Sequence, residues 1–389
     1  MVDKYSLRVY DTELMSFSLY MDPLSGLVAD DIIINERNKH LLPIGLQTSE
    51  KGIVSWLRGR VIPKNRAFVQ EILKTLGLSP NDTKGIIDIC KGLSLTDSFW
   101  IVPQGFDGKY EQYNLFENRF DEMLSLVAYT GVSSTTKAFS TSPELTTNGM
   151  LPKAWRYIEG KGIYLYKGGT SGAANAGREP YSEFYASQIA NRMGLNHVSY
   201  DLENWKGITA SVCKLFTDIN TSFVPSARLI EVGTIKEVLN CYSRFGSAFT
   251  EQLKSMLVFD ALIYNEDRHF GNFGILRDNR SGKIISPAPI FDNGLSLFNF
   301  AMPEDYKNLS EYAKTRTNPY GVPFESIVKE LAGNTQRKQL LRMIDFKFEK
   351  HPKINLPGER LMAIEKFIKQ RAKVLLKEIQ PKSITIPII

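Results

Sequence analysis

Asp267 and Asn272 stand five positions apart in the segment Ala261–Asn272, ALIYNEDRHFGN, and Asp292 follows further on in IFDNG, Ile290–Gly294. Phosphoryl transfer from ATP needs a carboxylate near the attacking hydroxyl, oxygen ligands for magnesium and a cation on the phosphates. Asp267 suits the first role, Asn272 offers one metal ligand, and Asp292 offers the stronger one. Taken singly, an aspartate in a turn more often caps that turn, and a D-x4-N spacing is common by chance. The D-R-H neighbours and the later apolar-Asp-x-Gly step make the set specific.

The cation is expected at Lys167, which ends the β-like run KGIYLYK, where Ile163 and Leu165 alternate with tyrosines. A strand lysine usually points to solvent. Here a helix predicted over Pro180–Met193 follows directly and carries Glu183 in its first turns as a carboxylate to hold Lys167, with Glu179 as the competing partner.

The N-x-D-R-H-x-x-N segment, Asn265 to Asn272, together with the later D-N-G, resembles the HipA-like serine/threonine kinases. These are the toxin kinases of bacterial toxin–antitoxin pairs, with a fold related to protein kinases and phosphoinositide kinases. The likeness covers Leu151 to about Gly294 well, the C-terminal helices loosely and the chain up to Thr130 only vaguely. It implies an α+β, two-lobed protein-kinase-like fold: a mixed β/α N-lobe with an N-terminal extension, an α-helical C-lobe and Mg-ATP in the cleft.

By the same resemblance Asp267 is the catalytic base, Asn272 and Asp292 bind magnesium, and Asn265 and His269 hold the loop. A packed histidine with no proton-transfer role is an equal expectation for His269. The phosphate loop falls at Thr146–Lys153, TTNGMLPK, with Thr147, Asn148 and Gly149 as nucleotide contacts; Gly168–Gly172 is a second candidate. The single glycine departs from G-x-G-x-x-G, and no G-x4-G-K-[ST] occurs, which argues against a Walker-type ATPase. The adenine edge is expected at Ser211–Phe216, with Lys214 and Leu215 beside the ring. The implied reaction is transfer of the γ-phosphate to a serine or threonine of a protein. A translation factor is an allowed substrate, and a separate antitoxin protein an allowed partner.

The elements that must position these residues follow from periodicity. Helices are predicted over Asn65–Leu76, Asn81–Ile89 and Asn118–Tyr129, then over Ile235–Tyr242, Thr250–Tyr264, Phe324–Leu331, Gln336–Ile344 and Gly358–Ile379. Residues 1–60 mix short β-rich runs with turns. A hairpin is expected around Gly160–Lys161, short strands near Val198–Leu202 and Ile208–Phe216, and a β island at Phe273–Arg277 and Lys283–Ile285. The hydroxyl-rich stretch Ser133–Gly149 reads as a linker or loop, and Ser133–Thr147 within it is a candidate for phosphorylation in cis. The domains are placed at 1–145 (extension), 146–222 (nucleotide-binding core) and 223–389 (helical catalytic lobe).

The chain has 389 residues, 43% hydrophobic and 23% charged, enough for a sizeable core. Three cysteines far apart exclude a disulfide framework or zinc module. No window offers 18 uninterrupted apolar residues and the start MVDKYSLRVYD has no apolar leader, so a reduced cytoplasmic protein without membrane contact is expected. The net charge of +6 falls short of a charge-dominated nucleic-acid binder. The basic cluster Trp56–Arg66, with Arg58, Arg60, Lys64 and Arg66, is expected as a solvated rim, so direct nucleic-acid binding is not expected. Alternatives are a small-molecule or lipid kinase and a catalytically dead kinase fold acting as a binding module.

Overall fold

Apolar residues at every second position make the first sheet. Tyr5 and Leu7 on Asp3–Val9 (β1) lie opposite Phe17 and Met15 on Thr12–Asp22 (β2), and all four are buried. Gly26–Ile34 (β3) and Phe99–Pro103 (β4) complete an antiparallel sheet in the order β3-β2-β1-β4. The helices Glu50–Arg58, Val69–Lys74, Thr83–Cys90 and Glu122–Thr130 share its core through Ile53, Leu57, Ile72, Leu73, Ile87 and Leu124. Each such side chain contributes about 1.5–3 kcal/mol when removed from water. Neither Glu50–Arg58 nor β4 was legible in the local pattern.

The computed structural model describes residues 3–132, 141–230 and 233–379. The chain divides into two compact units. One holds residues up to Gly168 with Val212–Val224 and Ile275–Ile285; the other holds Gly169–Ser211, Pro225–Gly274 and the residues from Ser286 on. In the first unit, Lys153–Ile158 (β5) and Gly162–Lys167 (β6) form the expected hairpin. The Leu215 N–H, just past the strand Ile208–Lys214, donates to Ile163 O at 3.0 Å.

The second unit is mostly helical. Glu179–Met193 starts with proline in its first turn and stops at Gly194, whose φ of +74° suits glycine. Ile235–Ser243 opens with a Thr234/Glu237 capping box. Ser247–Ile263 is buried continuously from Ser255 to its end, as its apolar sequence demands. Phe324–Leu331, Asn334–Leu341 and Gly358–Glu378 surround it. Among the described residues no helix is long and apolar enough to cross a membrane.

Two surface expectations need correction. Arg60 and Arg66 are not part of a solvated rim: they are 7% and 2% exposed. Arg60 pairs with Asp97 at 2.8 Å, and Arg66 with the fully buried Glu144 at 2.5 Å. Burial pushes the Glu144 carboxyl above its ordinary value, against the pull of Arg66. Residues 133–140 of the hydroxyl-rich stretch lie outside the described residues, and that part of the phosphorylation expectation with them. The remainder is no loose linker, because Ser142 to Thr146 are buried.

Candidate active site

The loop that carries Asp267 and Asn272 begins where the helix Ser247–Ile263 breaks at Tyr264, held left-handed at φ +52°. Asn265, fully buried, then donates from Nδ2 to Asp260 Oδ1 at 3.0 Å and accepts the Asp267 N–H at 3.1 Å. Asn272 reaches back along the same turn: its Nδ2 donates to the Asp267 carbonyl at 2.9 Å. A carboxamide is planar, so fixing Nδ2 on that carbonyl turns Oδ1 to the opposite side as an oxygen donor. The His269 N–H also donates to Asp267 O, at 2.8 Å. His269 itself is exposed, with Nδ1 accepting the Gly271 N–H at 3.0 Å. A Cβ on Gly271 would meet the imidazole at 2.8 Å, so glycine is needed for that orientation.

Arg268 ties the two motif segments together. It is 1% exposed, and its Nε and Nη2 grip the two oxygens of Asp260 at 2.9 and 3.0 Å. Nη1 donates to the carbonyls of Asn272, at 3.0 Å, and Phe291, at 2.6 Å, while Nη2 also reaches Asn293 Oδ1 at 2.6 Å. Burial opposes the guanidinium charge; the Asp260 carboxylate outweighs it, and the pKa ends above its ordinary value. One side chain thus holds Asn272 and the residue preceding Asp292 by their carbonyls.

Asp292 sits at φ +54°, a conformation costing roughly 1–2 kcal/mol for a residue with a Cβ. Its neighbours hold it there. The Asp292 N–H donates to Tyr200 Oη at 3.1 Å, and the Asn293 N–H donates to Glu183 Oε2 at 2.8 Å. Glu183 is fully buried in the helix Glu179–Met193. Glu179, the competing carboxylate, instead accepts the Thr170 N–H at 3.1 Å in the glycine-rich connection. The structure therefore brings Asp267, Asn272, Asp292 and Glu183 into one bonded set within the second unit.

The remaining expected residues lie in the first unit. Lys167 is 9% exposed at the end of β6, directly across the ladder from Lys153, which is 6% exposed. Lys153 Nζ donates to the Asn148 carbonyl at 2.8 Å and so closes the loop Asn148–Pro152 on itself. Gly149 takes φ +93° there. Arg66 anchors the approach to this loop by donating to the carbonyls of Thr147, at 2.9 Å, and Lys153, at 2.8 Å. The Thr147 hydroxyl accepts Trp155 Nε1–H at 3.0 Å and donates to Pro143 O at 2.6 Å, while Asn148 and Gly149 are exposed. Lys214 is exposed, and the Leu215 N–H is already given to Ile163.

Sequence reasoning missed Asp260, Tyr200, Asn293 and Lys153 as supporting residues. A lone aspartate inside MLVFDALI was a usable signal, since a carboxylate on so apolar a helix needs a buried partner. Glu266, beside Asp267, adds a pH dependence. Burial raises its pKa, opposed by Arg316 at 3.7 Å. A raised folded-state pKa means that the folded protein binds the proton more tightly, so stability falls as pH rises from about 4.5 through the raised value. Urea unfolding across pH 4–8 should show that decline in the wild type and a smaller one in Glu266→Gln. Equal slopes would show that Glu266 does not titrate differently on folding.

A solved HipA from Shewanella oneidensis MR-1, in complex with HipB and its operator DNA, superposes over 96% of this chain and 97% of its own at a TM-score of 0.53 and 14% identity. This chain has a HipA-like fold. The HipA-like motifs at Asn265–Asn272 and Asp292–Gly294 thus occur on the fold they imply. The serine/threonine-protein kinase CtkA of Helicobacter pylori is 32% identical over 167 residues, 39% of this chain and 50% of that protein. The chain therefore spans about half the length of that curated relative. A crystal structure of the proinflammatory kinase CtkA from the same species aligns at 21% identity and a TM-score of 0.47, over 58% of this chain and 93% of its own. No protein-family model matches the chain.

Proposed function

We propose that the protein is a Mg-ATP-dependent kinase that transfers the γ-phosphate to a serine or threonine hydroxyl of a protein. One observation carries the reading. Asn272 is tethered to the carbonyl of Asp267, and Arg268 ties the same loop to the segment bearing Asp292. That bonding supports reading Asp267 as the carboxylate for the acceptor hydroxyl, with Asn272 and Asp292 as the oxygen donors for the metal.

Asn272 Oδ1 and the Asp292 carboxylate suit magnesium, which takes oxygen ligands and usually keeps water and substrate phosphates in its remaining positions. When bound, the ion supplies charge neutralisation at the phosphates. Asp267 would accept or orient the proton of the acceptor hydroxyl. Lys167 is the lysine proposed for the α- and β-phosphates. Lys153, facing it across the hairpin, adds a second ammonium, and two like charges opposite each other on a sheet favour an anionic ligand. Thr147, Asn148 and Gly149 are proposed beside the phosphates, and Lys214 and Leu215 beside the adenine, the latter through groups other than the Leu215 N–H. Glu183 positions Asp292 through the Asn293 N–H. Most of the rate would come from positioning and charge stabilisation.

The HipA fold match is to a protein solved with HipB and DNA, which supports proposing a separate antitoxin partner and a toxin role. The soluble, cytoplasmic setting is likewise a proposal. Incubation with γ-labelled ATP and a bacterial lysate, with magnesium and then with excess EDTA, tests the function. Magnesium-dependent labelling of a protein band on serine or threonine is the expected result. ATP binding without labelling of any protein, or labelling of small molecules or lipids instead, would overturn the protein-kinase reading.

A further inference from the structure

A cavity of about 580 Å³ opens in the second unit beside the catalytic loop. His269 and Phe270, just past Asp267 in the chain, line it. Its far wall is Tyr320, whose hydroxyl donates to Arg268 O at 2.7 Å, with Val322. Ile327 and Leu331, buried in the helix Phe324–Leu331, give it an apolar depth. Lys236 and Glu330, both exposed, stand at the mouth with opposite charges.

Four features narrow the occupant. The depth is apolar, so it takes a hydrocarbon or aromatic side chain. The mouth carries both signs, which suits a polypeptide backbone and disfavours a polyanion. The Tyr320 bond welds the wall to the catalytic loop, so the pocket keeps a fixed distance from Asp267. Part of the lining, His269 and Phe270, belongs to that loop, so a chain that places a side chain here passes close to Asp267. None of these residues contributes to the Asp260–Arg268–Asn293 network through its side chain, except that Tyr320 bonds a carbonyl of that loop.

We propose that this cavity is the specificity pocket for a large apolar side chain, leucine or phenylalanine, lying within about three positions of the phosphoacceptor in the polypeptide substrate. The proposal rests on the protein-kinase reading above and adds which sequences the site selects. Val322 lines the cavity and is 41% exposed, so Val322→Lys brings an ammonium to its lining at a position that is not buried.

The test uses decapeptides with one central serine in an alanine–lysine host. Phenylalanine, leucine or aspartate is placed in turn at each position from three before to three after the serine. Phosphate transfer from labelled ATP is measured, and in parallel binding of the same fluorescein-labelled peptides without nucleotide. Phenylalanine or leucine at one position should raise kcat/KM by about tenfold or more over alanine. Val322→Lys should erase that gain while transfer to the alanine host is unchanged. Equal rates across the set, or a preference that survives in Val322→Lys, would overturn the pocket and leave the kinase reading standing. Apolar-dependent binding lost in Val322→Lys, with no transfer to any peptide, would support the pocket and count against the kinase reading. Neither transfer nor apolar-dependent binding would overturn the proposal.

Discussion

Asp267→Asn and Asp292→Asn should each lower γ-phosphate transfer by about a thousandfold or more while leaving the protein folded. Both substitutions keep side-chain size. Several bonds that shape the site use backbone atoms that both substitutions keep: the Asp267 N–H and carbonyl, the Asp292 N–H and the Asn293 N–H. The two variants should differ in one respect. Asp292→Asn removes the anionic oxygen proposed for magnesium, so it should weaken Mg-ATP binding as well. Asp267→Asn should bind the nucleotide nearly as the wild type does, because its carboxylate is assigned to the acceptor. Isothermal titration with Mg-ATP, beside transfer rates, separates the two. Wild-type rates in either variant would remove that residue from the chemistry, and an unfolded variant would show by circular dichroism.

Arg268→Met is the second large expectation. Removing the guanidinium leaves Asp260 buried with, among the described residues, the Asn265 amide to bond its side chain, and breaking a buried pair on one side costs about 3–5 kcal/mol. Urea unfolding should show that loss. The double variant Arg268→Met/Asp260→Leu removes both charges and should recover most of the stability. It should not recover phosphate transfer, because the carbonyls of Asn272 and Phe291 would still lack their shared donor. Recovery of both together would mean that Arg268 is needed for stability alone. Recovery of neither would mean that the guanidinium's bonds to Asn272, Phe291 and Asn293 matter more to folding than its pairing with Asp260.

Much of the second unit was legible because its signals are local. The helix predicted over Pro180–Met193 begins one residue earlier, and Phe324–Leu331 falls where expected, each with apolar spacing and a punctuating residue at its end. The hairpin Lys153–Lys167 was legible for the same reason, from alternation around a glycine turn. The chain up to Thr130 was harder. Glu50–Arg58 is a short helix whose apolar face makes sense only once β3 lies against it, and β4 is a buried strand with too little alternation to separate it from other apolar runs. The Trp56–Arg66 cluster misled because charge by itself does not reveal burial. Arg60 and Arg66 find their carboxylates far along the chain, at Asp97 and Glu144.

The sequence by itself determined the chemistry on offer: which side chains could be base, metal ligand and phosphate-binding cation, and the short-range turns that carry them. Residue type and spacing are covalent facts, and a turn as short as Asn265–Asn272 is governed by its own backbone. Only the tertiary structure decided how those groups are aimed. Asp292 holds its left-handed backbone because Tyr200 and Glu183, far upstream in the chain, bond the two amides there. Arg268 joins Asn272 to Phe291 because the chain between them returns to the same buried spot beside Asp260. Such bonds depend on which distant segments share a desolvated space, and that is set by packing of the whole unit rather than by any local run of residues.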